Sequence, residues 1–154
     1  MNAVDFLLQE HRKTEEKFQE IEQADAQQRA SLWRRLHPEL KIHEQMEDDH
    51  VYGPFARDPR FEGTELGGFL EHQEKDVAAL EKKMAELNKQ EPAGNEWLST
   101  FREIKNALMD HVKEEETRIL PQVRDAWDEG KLAEAGRMME EMKQAHMGQA
   151  ARVM

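Results

Sequence analysis

Four stretches of this chain repeat one pattern: an apolar seam at helical spacing, interrupted by a histidine with an acid four residues later. Residues at i, i+3, i+4 and i+7 share one face of an α-helix. The first stretch, 3–23, places Val4, Leu7, Leu8, His11, Glu15, Phe18 and Glu22 on that face. The second, 28–51, places Trp33, Leu36, Leu40, His43, Glu47 and His50 there. The third, 64–89, offers Phe69, His72, Asp76, Leu80, Met84 and Leu87. The fourth starts near 96 and offers Trp97, Phe101, Ile104, Leu108, His111, Glu115 and Ile119. A buried polar group without a partner is costly. Either these faces are not buried, or the pairs His11–Glu15, His43–Glu47, His72–Asp76 and His111–Glu115 have something to bind.

The punctuation between the stretches sets the fold. Residues 52–63, with two prolines and two glycines, and the "EPAGN" of 91–95 predict loops. Pro38 is expected to kink the second helix or split off its first turns, and Pro121 to bend or end the fourth. Leu132, Ala135, Met139 and Met142 predict a shorter amphipathic helix over about 131–148. Strong helix formers dominate, while Val, Thr and Tyr are scarce, which argues against strands. Hydrophobic residues make up 38% and charged residues 36%, a balance that suits long helices with one wet face. The expectation is an all-α fold. It is an up-down-up-down four-helix bundle over about 3–127, with a short additional C-terminal helix across its outside or end, and 1–154 as one domain.

Charge and composition exclude several functions. The net charge of −11 repels phosphate backbones and offers no polybasic patch to an anionic membrane, so neither nucleic acid nor membrane is an expected partner. The chain has no cysteine, so a thiolate zinc site and a cysteine nucleophile are out. The opening, MNAVDFLLQEHRK, lacks the basic-then-apolar pattern of a signal peptide, and the expected location is the cytoplasm.

Four inward histidines and several inward acids would converge at mid-bundle, where carboxylate–imidazole metal sites are built. Imidazole suits iron, zinc, copper and nickel, and carboxylates add hard oxygen ligands that can bridge two ions. The plainer alternative is a set of core histidines hydrogen-bonded to nearby acids. A two-fold hint favours metal. Residues 1–55 and 62–122 each supply a helix with one histidine, then a helix with His-x-x-x-Glu.

The order His11, His43-Glu-Gln-Met-Glu47, His72, His111-Val-Lys-Glu-Glu115, closed by "ILPQV", resembles the hemerythrin-like (HHE cation-binding) proteins over about residues 4–125. The resemblance implies a four-helix bundle around two non-haem iron ions with an oxo or hydroxo bridge. It implies His11, His43, His72 and His111 as terminal ligands and Glu47 and Glu115 as bridging carboxylates. The chain departs from the oxygen carriers of that family at Asp76, where they have a second histidine, and in the four-residue spacing of His111 and Glu115, where they have five. Fewer imidazoles make a harder site, which favours oxidised iron over reversible oxygen carriage. Glu44 beside His43 matches iron-responsive hemerythrin-like domains and is either a further ligand or a solvated acid. Glu15 and Asp76 are either ligands or hydrogen-bond partners that orient their own helix's histidine. His50 lies seven residues past His43, only about 20° around the helix, and could be a fifth imidazole. Tyr52 could reach the centre if its helix distorts near Gly53. His37 and His146 read as surface residues.

The implied partners are small molecules: oxygen, hydrogen peroxide or nitric oxide. A redox partner or a homodimer is compatible with the sequence. Leu8, Leu40, Phe69, Phe101 and Leu108 are the expected water-excluding neighbours. Oxygen or peroxide redox handling by a catalase-like or peroxidase-like oxidoreductase is the first reading. An iron or oxygen sensor without turnover is the second, and a structural zinc-holding bundle the third.

Overall fold

Helix α1 (Ala3–Gln23) starts where the Asn2 side chain accepts a hydrogen bond from the Asp5 N–H, and α2 (Ala26–Glu47) where Asp25 does the same for Gln28. Each cap satisfies one of the donors that a helix start leaves open. In this computed structural model the described backbone is residues 1–61 and 65–153, without the side chains of 61, 65, 66, 69 and 149–153. The expected start of the third helix at 64, and the Phe69 side chain, lie outside the described residues. A π turn (Asp48–Tyr52), a four-residue helix α3 (Gly53–Ala56) and a 3-10 turn (Pro59–Phe61) follow α2. Then come α4 (Glu65–Leu87), α5 (Asn95–Glu114), a second π turn (Glu115–Ile119), α6 (Leu120–Ala126) and α7 (Glu129–Val153). No strand occurs among the described residues. Helices α1, α2, α4 and α5 form the bundle, and α7 packs along α1 and α2.

Three sequence expectations change. Pro38 does not split off the first turns of α2, which runs through it as one helix. Losing one N–H and straining the turn costs about 3 kcal/mol. Burial of Trp33, Leu36 and Leu40 around it, each worth roughly 1.5–3 kcal/mol, offsets that. The segment 52–63 is not all loop, because the chain continues helically through Tyr52 into α3. Helix α7 has 25 residues rather than a short span. It sits close on the N-terminus, where a Cβ at Gly136 would run into the Met1 carbonyl oxygen.

The two π turns are the same device used twice. Each stops two residues before a proline, Pro54 and Pro121. A proline cannot donate to the carbonyl four residues back. The residue ahead of it instead donates five back: Gly53 N–H to Asp48 O, and Leu120 N–H to Glu115 O. One inserted residue rotates the next turn of helix by about 100°. Tyr52, five residues past Glu47, thereby lands near the face of Glu47 itself. His50 is carried off that face and lies only partly buried.

The core is two apolar clusters. One gathers Leu7, Met46, Val51, Phe55, Ile119, Leu120, Trp127 and Met139 at the end where α6 and α7 meet the bundle. The other gathers Phe18, Trp33, Leu40, Leu80, Trp97, Phe101 and Leu108 toward the opposite end. Along α1, α2 and α5 the buried chain passes from one cluster to the other through a histidine or glutamate. These are His11, Glu47, and His111 with Glu115. On α4 the same position is Gln73, between Leu70 and Leu80.

Candidate metal centre

That polar layer is the candidate site. Glu47 is 0% and Glu115 1% exposed, with His11 and His111 buried beside them and His43 nearly so. Around Glu47, its Oε1 receives His43 Nε2 at 2.6 Å and His11 Nε2 at 3.2 Å. Around Glu115, its Oε1 is 2.6 Å from His111 Nε2 and its Oε2 is 3.2 Å from His11 Nε2. Glu44 Oε1 stands 3.8 Å from His111 Nε2. The donors fall into two groups that share Glu47: His11, His43 and Glu47, and Glu44, Glu47, His111 and Glu115. Within each group one ligand atom per residue lies within 4.8 Å of the others, so each can hold a cation.

The residues fit a metal better than they fit one another. Both oxygens of Glu115, Oε2 of Glu47, Nδ1 of His11 and Nε2 of His111 are buried with no hydrogen bond of acceptable geometry. Orphaning a buried polar atom costs about 1–3 kcal/mol. A cation between these atoms would satisfy them together, and the imidazole–carboxylate mixture suits a first-row transition metal. The electrostatics agree. Burial works to lower the pKa of His11, but contact with Glu115 and Glu47 raises it to about 10. For His111, burial is likewise outweighed by Glu115, and the pKa rises to about 9. Burial would raise Glu47, yet His43 and His11 hold it well below the carboxylate range. Burial and the charges of Glu47 and Glu115 push Glu44 up to about 8. The protons that balance charge here are the ones a bound cation would replace.

The Tyr52 hydroxyl is buried without a hydrogen bond of acceptable geometry. Burial first, then the charges of Glu115, Glu47 and Glu44, keep it protonated far above its usual range.

Four sequence candidates lie outside the cluster. His72 and Asp76 are exposed and face each other at 3.5 Å. The buried stripe of α4 is Leu70, Gln73, Leu80, Met84 and Leu87, with Val77 partly buried in phase. The two acceptable helical phases part at this point, and the choice of Val77 over Asp76 turns His72 outward. Glu15 is exposed because α1 turns Thr14 toward the site instead. His50 is displaced by the π turn. Two further groups carry no clear mark in the sequence. Gln73 occupies the α4 position facing the layer, which Val77 four residues on could have indicated. His37 is buried rather than on the surface, stacked on Trp33 one turn away, with its Nδ1 3.0 Å from Asn88 Nδ2.

A small cavity of about 20 Å³ opens on the centre. Its polar lining includes His11, His43, Glu44, His111 and Glu115, with Lys41 and Glu81, and its apolar lining Leu40, Leu80, Met84 and Leu108. Of the other expected apolar neighbours, Phe101 belongs to the second core cluster and Leu8 is partly buried against the first.

The family model described as hemerythrin HHE cation binding domain matches residues 2–123. Among solved structures, a hemerythrin HHE cation binding domain-containing protein from Mycobacterium kansasii superposes with a TM-score of 0.81. It is 20% identical, and the alignment covers 99% of this chain and 91% of that one. At that identity the likeness concerns the fold. No curated protein matches the chain.

Proposed function

The chain belongs to the hemerythrin HHE cation-binding domain family, and on that premise we propose that it is a non-haem di-iron protein that reacts with oxygen, hydrogen peroxide or nitric oxide. Redox turnover of oxygen or peroxide is favoured over reversible oxygen carriage. The observation that carries the reading is the cavity of about 20 Å³ between the His/Glu layer and an apolar wall. Holding one water needs roughly 10–15 Å³. The space beside the candidate ligands thus admits a water-sized molecule.

Two iron ions in the two donor groups would supply redox capacity and Lewis acidity. Everything else is the work of the chain. His11 and His43 with Glu47 form one nest, and His111, Glu44 and Glu115 the other, with Glu47 common to both. Carboxylate-rich coordination favours the oxidised metal, and for that reason turnover is preferred to carriage. Leu40, Leu80, Met84 and Leu108 make one side of the cavity apolar, which keeps water off that side. Tyr52 holds a proton on a buried oxygen beside the carboxylates, which suits it to donate a hydrogen bond or a proton there.

The test is to load the protein with ferrous iron without oxygen and then, in separate experiments, to add peroxide alone or oxygen together with an excess of a chemical reductant. Consumption over many turnovers, lost in Glu47→Ala, supports the reading. Stoichiometric oxidation of the iron with no turnover in either experiment overturns it in favour of binding or sensing.

A further inference from the structure

We propose that the cleft between α2 and α4 is the route by which a divalent cation reaches the centre, a claim that rests on the metal-centre reading above. The cleft measures about 1040 Å³ and ends on His111 and Glu44, both of which line it. Its rim is acidic. Asp48 from the first π turn and Glu71, Glu74 and Glu81 from α4 are exposed there. These four carboxylates face two cations, Lys41 and Arg57, among the described lining residues. A concave wall of one sign concentrates counter-ions and speeds their association. Neutral oxygen or peroxide gains nothing from such a rim, so the charge pattern selects for the metal.

The inner wall adds an independent observation. Gln73 is 4% exposed and lines the cleft. Its Nε2 donates to Glu114 at 3.3 Å, but its Oε1 is buried with no partner. An unpaired buried carbonyl oxygen is costly, and amide oxygens are hard donors for divalent cations. Gln73 thus stands between the exposed Glu71 and Glu74 on the rim and the His111–Glu44 floor. An incoming ion passes from the solvated carboxylates of the rim along the wall to which Gln73 belongs and on to the nest that holds it.

The experiment is stopped-flow loading of metal-free full-length chain with ferrous iron in anaerobic buffer, followed by tryptophan quenching, with bound iron counted at the end point. The rim variant is Glu71→Gln with Glu74→Gln. The control, Glu134→Gln with Glu140→Gln on α7, removes the same charge from exposed positions that do not line the cleft. Lys41→Gln removes a rim cation and provides the opposite test. The expected result is loading slower by about 3–10-fold in the rim variant at low salt, converging with wild type at high salt. Lys41→Gln should load faster, the control should match wild type, and all should reach the same final iron content. Equal slowing by rim variant and control, or wild-type rates in both the rim variant and Lys41→Gln, overturns the route. If wild type retains no iron at all, it is the metal-centre reading that fails instead.

Discussion

The Nε2 of His111 stands 2.6 Å from Oε1 of Glu115, yet the two do not form a hydrogen bond of acceptable geometry. Their contact is imposed by the helix, which puts i and i+4 on one face. The atoms converge without being aimed at each other, the arrangement expected of ligands around a shared cation. Removing either should therefore cost metal. His111→Ala and Glu115→Ala are each expected to lose at least one of two irons per chain. His146→Ala, on α7 and outside the cluster, should lose none. Elemental analysis of the three purified variants checks this, and equal iron in all three would sink the site.

Metal should also hold the bundle together. The polar layer interrupts the core at its middle, and a bound cation would satisfy its orphaned atoms. A ligand at about 1,000 times its Kd adds about 4 kcal/mol. For a chain of this size that corresponds to a rise in Tm of about 10 °C. Calorimetry with and without ferrous iron measures it. An unchanged Tm in protein shown to hold iron would mean that the layer is not strained without it.

A pH effect is expected at the other end of the bundle. Trp33 Nε1 donates to Asn88 Oδ1 at 2.7 Å, which leaves Asn88 Nδ2 to donate to His37 Nδ1 at 3.0 Å. A protonated His37 has no lone pair for that bond. Burial, then the charge of Lys41, lowers its pKa, with Glu81 opposing. Linkage sets the sign. As pH falls through about 6.5, the unfolded chain takes up a proton that the folded chain refuses, so stability falls with it. His11 and His111, with raised values, run the other way: their contribution is full below about 6.5 and is lost as pH rises through about 9 and 10. The comparison must therefore be between proteins. Wild type should lose more stability than His37→Gln between pH 7.5 and 5.5 in urea unfolding. Identical losses would show that His37 does not titrate in this window.

Exposure separates the histidines chemically. His72 is 68% exposed at its side chain and His11 4%. In metal-free protein a histidine-acylating reagent should modify His72 rapidly and His11 slowly, as peptide mass mapping would show. Protection of His72 equal to that of His11 would mean that α4 presents a different face from the one described.

The helices and the bundle were legible because apolar spacing at 3.6 residues per turn is a long, redundant signal. His43 with Glu47, and His111 with Glu115, were legible for the same reason: each pair is flanked by apolar residues in phase. The α4 stripe was not, since Leu80, Met84 and Leu87 are compatible with both Asp76 and Val77 one turn earlier. His50 and Tyr52 were misplaced or left open because a π turn shifts the phase by one residue. Pro54 and Pro121 hint at such a turn, but a proline is equally a stop signal. His37 was missed because its partner Asn88 lies 51 residues away, and no local pattern marks such a bond.

The most direct measurement is iron and zinc per chain in protein purified after growth in ample iron. The account predicts close to two irons per chain, bound where the two donor groups share Glu47. One zinc, or no metal, would contradict it and leave the His/Glu layer as a hydrogen-bonded polar core.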